Sequence, residues 1–255
     1  GEEEVHLISA LSVSTSSGKR YMNRSRETDA HRSFSLLQSM LYHSQEITTQ
    51  YWLTPLLVFI CRNPDSPKRY FDYLRHLDNH LLGSTDTGSL AVRTRAFMDD
   101  PWLCRELAHE TELAVKKGVN FAHYWFYKLE FVLWFQNMGA TEGWKKFRIT
   151  AKNSVEHISP QTPKDSDENR VDEALDYFGN LALVSRSVNS EYGNLPYNEK
   201  RQRFHNNNKK KIDSLKMDLI YQGDKGSDTI AFEHQKAMIE CLDNYCVETS
   251  KQMSK

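Results

Sequence analysis

The stretch that decides the fold is Val155–Gln161, which reads VEHISPQ, together with Gly179–Val184, which reads GNLALV. Each contains a short apolar, β-prone run, and Gly, Asn and Pro residues flank the runs. The pattern predicts two strands, at 155–158 and 181–184. Between them we expect a loop that carries a short helix at 171–178.

A third segment follows the second strand. Ser187–Ser190 reads SVNS, and we expect a helix from Asn189 onward. Asn189 comes nine residues after Asn180. The predicted order is therefore strand, loop, strand, helix.

The first predicted strand carries residues suited to phosphodiester hydrolysis. Neighbouring side chains on a strand point to opposite faces, so Glu156 and His157 diverge. A helix packed across the end of the strand would let the carboxylate reach a divalent cation while the imidazole reaches a water molecule. Asn189 on that helix offers a neutral oxygen ligand suited to hydrated Mg²⁺. Asn180 in the connecting loop can accept the imidazole N–H and fix the ring.

These elements resemble the HNH (ββα-metal, His-Me finger) nuclease motif: Asp/Glu-His-Ile-x-Pro, then Asn-Leu, then Asn with a downstream Lys. The first element is similar to the HNH domain of the RNA-guided CRISPR nucleases. The whole set more closely resembles the C-terminal nuclease domain of GmrSD-type (type IV, modification-dependent) restriction endonucleases, in which a further Asn-x-Pro-Tyr/Phe…Lys element follows. That element reads NLPYNEK at Asn194–Lys200. The resemblance covers about residues 150–205.

The resemblance implies a role for each residue. His157 would be the general base, Glu156 and Asn189 the metal ligands, and Asn180 the residue that orients His157. Lys200 would contact phosphate. The implied cofactor is a divalent metal ion, Mg²⁺ or Mn²⁺. Glutamate stands where many HNH enzymes carry aspartate, and the zinc-binding cysteines that brace some HNH folds are absent, so helices must brace this one.

The resemblance also implies the partners. DNA would be the substrate, and the helical region before the motif looks like the family's linker between an N-terminal nucleotide-hydrolysing domain and the nuclease. We expect that N-terminal domain to be missing from this chain, since the sequence starts at Gly1 and contains no GxxxxGK[ST] loop. Target selection would then reside outside the chain.

A basic run follows the motif, with seven Lys/Arg against one Asp in residues 200–216. Such a run is usually a solvated face, and a solvated charge is also the alternative for Lys200. Beside a nuclease site the run becomes an edge that contacts phosphate. The candidate nucleic-acid contacts are Lys200, Arg201, Arg203, Lys209, Lys210 and Lys211.

Composition limits the class of protein. Of the 255 residues, 39% are hydrophobic and 26% are charged, so the chain can form a core and is not disordered throughout. The formal net charge is −1, so any affinity for DNA must come from a local patch. Without a signal peptide or an apolar run of membrane-spanning length, we expect a cytoplasmic protein that makes no membrane contact.

The cysteines and histidines outside the motif give weaker signals. Cys61, Cys104, Cys241 and Cys246 match neither a zinc knuckle nor a disulfide framework, and we expect free, buried thiols. His76 and His80 are four residues apart, a spacing that can chelate a metal. No HExxH context supports a site there, so we place them on a helix surface.

The rest of the chain is predicted to be helical. Apolar residues recur at helical spacing from residue 29 onward, and Phe121–Phe135 should be a buried helix. Asp99-Asp100-Pro101 is typical of a helix start. The predicted divisions are 1–28, a linker or arm; 29–138, a helical domain; 139–222, the HNH-type finger and basic edge; and 223–255, with an amphipathic helix at 228–250 that packs on the rest.

The sequence therefore predicts a mainly α chain with a small embedded ββα-metal finger, in the α+β class. The predicted function is that of a metal-dependent DNA endonuclease domain of the HNH type, the C-terminal part of a modification-dependent restriction protein. The alternative is a non-catalytic helical module that binds nucleic acid or a partner chain through a degenerate finger.

Overall fold

The structure is a computed structural model that describes residues 8–26, 32–45, 48–64, 67–136, 141–162, 171–209 and 212–253. Within these ranges the chain is mainly helical, with two small two-stranded antiparallel sheets. The prediction of a mainly α chain with a small β component is confirmed. None of the described helices is both long and apolar enough to cross a membrane.

The N-terminal half is helical, as the apolar spacing predicts. Its helices are α1 (Arg32–Ser44), α2 (Leu53–Arg62), α3 (Pro67–Leu77), α4 (Leu90–Asp99), α5 (His109–Leu113) and α6 (His123–Gln136). Most of α6 is buried, which confirms the predicted core helix, and α1 packs against it. A π-helical turn, Asp78–Leu82, directly follows α3.

The predicted helix start at Asp99-Asp100-Pro101 is wrong. α4 ends at Asp99, and Asp100 is extended. The Asp100 carboxylate accepts a hydrogen bond from the Trp102 N–H at 3.1 Å. The side chain therefore closes a short turn after α4 and does not cap the start of a new helix. The sequence pattern does not distinguish the two, because turns and helix caps use the same acidic acceptor.

The predicted linker or arm at residues 1–28 contains a β-hairpin. β1 (Ile8–Ser16) pairs with β2 (Lys19–Arg26). The turn is Ser17-Gly18, with positive φ at both residues, as tight two-residue hairpin turns require. Side chains 13–23 are exposed. Exposed strand residues need not alternate between apolar and polar, so the part of the hairpin whose side chains are described gives no apolar pattern.

The C-terminal half contains the predicted order of strand, strand and helix. Its elements are α7 (Glu142–Lys145), β3 (Ser154–His157), β4 (Leu181–Val184), α8 (Arg186–Tyr192), α9 (Tyr197–Asn207), α10 (Leu215–Ile220) and α11 (Asp228–Met253). β3 and β4 pair antiparallel and agree with the predicted strands within one residue. α8 begins before Asn189 because the Ser185 hydroxyl caps the Val188 N–H at 3.3 Å. The short helix predicted at 171–178 is wrong, since turns lead into a 3₁₀ turn at Phe178–Asn180.

α11 joins the two halves. It packs against α3, α5 and α6 and against the turn Phe178–Asn180, which confirms the predicted C-terminal helix and its packing on the rest. One hydrophobic cluster extends from Leu36 in α1 to Cys246 in α11. The predicted domain divisions stay a prediction, and residues on both sides of position 138 share this core.

All four cysteines are free, as predicted. Cys246 is buried and Cys241 is half-buried, whereas Cys61 and Cys104 are exposed. The prediction of buried thiols is therefore wrong for these two, because Cys61 lies on the outer side of α2 and Cys104 on the irregular segment between α4 and α5.

Candidate active site

β3 presents Glu156 and His157 to opposite faces of the two-stranded sheet, because neighbouring side chains on a strand point in opposite directions. Glu156 lies opposite Ala182 and His157 opposite Leu181 in the β4 register. Both side chains are nearly buried, with 4% and 8% of their surface exposed. Each therefore depends on partners within the protein, and the two have different charged partners.

The imidazole of His157 contacts a carboxylate that the sequence pattern does not single out. Its Nε2 lies 2.9 Å from Asp176 Oδ1. Because an ionised carboxylate can only accept hydrogen bonds, we assign the proton to Nε2 and the lone pair to Nδ1. The Gln161 amide flanks the pair, with its Nε2 3.4 Å from the same imidazole nitrogen. A carboxylate that fixes the tautomer and the ring is the arrangement of an oriented general base.

Backbone contacts hold Asp176 in place. The N–H groups of Lys117 and Gly118 both donate to the Asp176 main-chain carbonyl, at 3.2 and 2.9 Å. Gly118 has φ +53°, and a Cβ there would lie 3.0 Å from Asp176 Oδ1. Glycine therefore permits both the turn and the close approach of the carboxylate. From the other side, the Asp228 carboxylate at the start of α11 accepts the Ala174 N–H at 2.7 Å.

Asn180 contacts the chain that follows His157 and not the imidazole. Its Oδ1 accepts the Ser159 N–H at 3.0 Å, and its Nδ2 donates to the carbonyls of Ser159 (3.3 Å) and Leu175 (2.9 Å). The predicted hydrogen bond from the imidazole to Asn180 is thus corrected, because Asp176 is the acceptor. Since Leu175 adjoins Asp176, the amide fixes both segments that carry the histidine–aspartate pair.

Gly179 lies directly against α11. A Cβ at this position would lie 1.9 Å from the Ala231 carbonyl oxygen, so no larger residue fits without a backbone shift. The Gly179 N–H donates to the Gln235 Oε1 at 3.3 Å. The glycine of the Gly-Asn-Leu element is therefore required for the close approach of α11 to the loop that holds Asn180.

Glu156 forms a buried ion pair with Lys200 on α9. The Lys200 ammonium has no exposed surface, and it donates to Glu156 Oε1 and to the His157 carbonyl, both at 2.6 Å. The alternative of a solvated lysine is wrong, because α9 directs the side chain inward. The contact of Lys200 with phosphate stays a prediction. Burial raises the pKa of Glu156 and lowers the pKa of Lys200, and each charge opposes the shift of the other.

Asn189 lies on α8, which packs against β3, and its side chain is half-buried. A carboxylate from Glu156 and an amide oxygen from Asn189 are hard oxygen donors of the kind that Mg²⁺ and Mn²⁺ prefer. The chemistry of this donor set fits a hydrated divalent cation. The carboxylate already has one cationic neighbour in Lys200.

The remaining predicted nucleic-acid contacts differ in their surroundings. Arg201 Nε donates to the Tyr221 carbonyl at 2.8 Å, and Arg203 lies 3.6 Å from the Glu191 carboxylate. Lys209 is exposed. Lys210 and Lys211 lie outside the described residues. The Arg203 side chain is 42% exposed, and Arg201 is half-buried.

Two groups of potential metal ligands are found elsewhere in the described ranges. They are His76, His80 and Cys104, and His109, Glu110 and Asp243. Neither group contains a residue predicted for the nuclease site. The prediction that His76 and His80 lie on a helix surface is wrong, since both rings are buried.

Asp176 is the functional candidate that sequence reasoning missed. Six acidic residues lie between the two strands, and no local pattern distinguishes this one. Its position is the available signal, because it comes four residues before Asn180 in the segment that leads back to the second strand. Only the three-dimensional contact with His157 separates it from its neighbours.

Comparison with protein-family models places the chain among restriction endonucleases. The model of the GmrSD restriction endonuclease C-terminal domain matches residues 111–240, which is half of the chain. The chain therefore belongs to the family of C-terminal domains of GmrSD restriction endonucleases, as the motifs predicted. This membership connects it with the nuclease function of restriction endonucleases. No curated protein and no solved structure matches the chain.

Proposed function

We propose that this chain is a metal-dependent DNA endonuclease domain of the HNH type, the C-terminal part of a modification-dependent restriction protein. The observation that carries the proposal is the contact of His157 Nε2 with Asp176 Oδ1 at 2.9 Å. This contact orients His157 as a general base must be oriented. The histidine lies in a chain that belongs to a family of restriction endonucleases. The order of β3, β4 and α8 along the chain is the strand–strand–helix order expected of an HNH finger.

The proposed reaction uses water as the nucleophile. The Nδ1 lone pair of His157 takes a proton from water while the water oxygen attacks phosphorus, and the bond from phosphorus to the leaving oxygen breaks. Asp176 stabilises the imidazolium that forms and prevents the ring from rotating. Asn180 binds the backbone of Ser159 and Leu175. It thereby keeps His157 and Asp176 at hydrogen-bonding distance from each other.

Glu156 and Asn189 are the proposed ligands of a divalent cation, Mg²⁺ or Mn²⁺. When bound, such an ion would neutralise the charge that develops on the scissile phosphate. Lys200 pairs with Glu156 at 2.6 Å, and its proposed part is to hold this carboxylate in position. Arg203, Lys209 and the basic residues that follow are proposed to contact the DNA backbone, and an N-terminal nucleotide-hydrolysing domain is the proposed partner.

A plasmid nicking assay tests the proposal. The chain should nick supercoiled DNA with Mg²⁺ or Mn²⁺ and should not do so with EDTA. His157→Ala should lower the rate by about 10²- to 10⁴-fold, since a general base acts only in the transition state. His157→Gln, which retains more of the buried volume, should be equally slow. His205→Ala, which removes an exposed histidine on α9, is the matched control and should cleave normally.

The outcomes separate this proposal from the alternative of a non-catalytic module. The Lys200–Glu156 ion pair favours that alternative, because a lysine ammonium already neutralises the carboxylate proposed to bind the metal. DNA binding without any metal-dependent nicking by the folded chain would support the module. Undiminished nicking by folded His157→Ala would exclude His157 as the base.

A further inference from the structure

Three side chains of the helical half converge at a place that the proposed nuclease chemistry does not use. One ring nitrogen of His76, one of His80 and the Cys104 Sγ lie within 4.8 Å of one another. His76 is on α3, His80 is in the π-helical turn that follows it, and Cys104 is on the segment between α4 and α5. We propose that these three residues bind a transition-metal dication of the Zn²⁺ type.

The donor atoms select the class of metal. Two imidazole nitrogens and a thiolate suit borderline-soft ions such as Zn²⁺, whereas Mg²⁺ prefers oxygen. Zn–N bonds of about 2.0–2.1 Å and Zn–S bonds of about 2.3 Å place tetrahedral ligand atoms roughly 3.5 Å apart. A separation within 4.8 Å therefore requires only a small closing movement. Three protein ligands leave the fourth position to water.

Backbone groups around the two rings orient them as metal-binding histidines are usually oriented. His76 Nε2 lies 3.1 Å from the Leu103 carbonyl, and His80 Nδ1 lies 2.9 Å from the Arg105 carbonyl. In the tautomers that donate to these carbonyls, the lone pair lies on the other ring nitrogen of each histidine. A ligand histidine typically donates its second N–H to a carbonyl in this way. The His80 Nδ1 also lies 3.0 Å from the Arg105 N–H, and metal binding would select the carbonyl-bound tautomer.

The local fold brings the ligands together. The π-helical turn Asp78–Leu82 places the His80 ring 4.5 Å from that of His76, measured between centroids. π-helical turns are rare and often occur at functional sites. Both rings are buried, while Cys104 is exposed. An ion would therefore enter from the solvent side, where the thiol is.

A metal here would fasten an irregular segment to the bundle. Residues 103–106 have neither helical nor strand structure, and an isolated bridge between Ser84 and Leu107 follows them. Coordination by Cys104 would connect this segment to α3. The proposed role is to hold this segment on α3, and it is separate from the role of the cation proposed at Glu156 and Asn189.

Cobalt(II) substitution tests the site. The 255-residue chain without a polyhistidine tag is titrated with Co²⁺ under anaerobic conditions. We expect a near-ultraviolet thiolate-to-cobalt band that saturates at about one equivalent, together with visible bands of a tetrahedral ion. Added Zn²⁺ should bleach both. A carboxylate and amide site gives no thiolate band, so the spectrum distinguishes the two proposed metals.

Matched cysteine variants complete the test. Cys104→Ser should lose the near-ultraviolet band, and Cys61→Ser, which alters the other exposed cysteine, should keep it. Asn189→Ala should also keep it, since that residue belongs to the other site. EDTA should lower the unfolding midpoint of the zinc-loaded wild type but leave that of Cys104→Ser unchanged. Absence of the band in the wild type, or its persistence in Cys104→Ser, would overturn the proposal.

Discussion

At the scale of single residues, Asp176 is the contact that turns a buried histidine into a candidate base. Asp176→Asn preserves the shape of the side chain but removes its charge, so it should lower the nicking rate by about 10²- to 10⁴-fold, as expected when a base histidine loses the carboxylate that orients it. The fold and DNA binding should be unchanged. Glu173→Gln, an exposed neighbour, is the control. Equal rates for Asp176→Asn and the wild type would remove Asp176 from the mechanism.

The buried pair of Glu156 and Lys200 makes a separate prediction about stability. Lys200→Met leaves a buried carboxylate without its counter-ion and should lower the free energy of unfolding by about 3–5 kcal/mol. Glu156→Gln combined with Lys200→Met should recover a large part of this loss, because no unpaired charge remains. Urea denaturation of the two single variants and the double variant measures the coupling. Additive losses would show that the two side chains do not depend on each other.

The candidate site was only partly predictable from sequence. The adjacent Glu156 and His157 and the spacing of Asn180 and Asn189 belong to local segments whose order along the chain is informative. The partners of these residues are set by tertiary packing. Whether Lys200 is solvated or buried depends on where α9 lies, and the choice of Asp176 over other loop carboxylates depends on the turn at Gly118. Neither is encoded in a local pattern.

At the scale of elements, the close contact of α11 with the turn Phe178–Asn180 depends on Gly179. Gly179→Ala would place a methyl group 1.9 Å from the Ala231 carbonyl oxygen, so either α11 or the turn must shift. We expect a loss of about 3 kcal/mol in unfolding free energy, at the upper end for overpacking. Nicking should also decline, because Asn180 moves with the turn. Chemical denaturation and the nicking assay measure the two effects.

A second glycine provides the control for this substitution. Gly223→Ala adds a methyl group whose nearest neighbour is the Ile220 carbonyl oxygen, at 3.4 Å. That distance is near ordinary contact, so the change should be close to neutral. Gly179→Ala as stable and active as Gly223→Ala would mean that α11 does not need to lie so close to the turn.

The elements that sequence patterns predict well are those with an apolar periodicity. α6, α11, β3 and β4 each bury apolar side chains, and each was predicted within a few residues. The hairpin of β1 and β2 exposes its described side chains, so it leaves no such signal. The acidic turn at Asp100 has the sequence pattern of a helix cap, because the same hydrogen-bonding chemistry serves both structures.

At the scale of the whole molecule, charge predicts how the chain meets DNA. With a net charge of −1, attraction to DNA must come from a local basic patch, and we propose the exposed basic residues after β4 for it. About three phosphate contacts would make the logarithm of the binding constant fall with the logarithm of salt concentration with a slope of roughly −3. Binding should be weak and indifferent to sequence, and added nucleotide should not change cleavage. Fluorescence anisotropy over a salt series measures the slope.

Modified and unmodified DNA of the same sequence provide the contrast for this prediction. At a fixed salt concentration the chain should bind and cut both equally, because phosphate contacts carry no information about bases. A clear preference for modified DNA would mean that the helical half, residues 29–138, reads the base itself. It would then be a recognition domain and not a scaffold.

α11 also limits how this protein can be rearranged by recombination. The helix has 26 residues, about 39 Å at the usual rise, and the family match ends at residue 240, part-way along it. Its first turns hold the Asp176 and Asn180 loop, while its later turns complete the core of the N-terminal helices. A gene exchange that ends at the edge of the matched segment would cut this helix in two. Viable chimaeras should therefore inherit the whole of α11 together with the helices on which it lies.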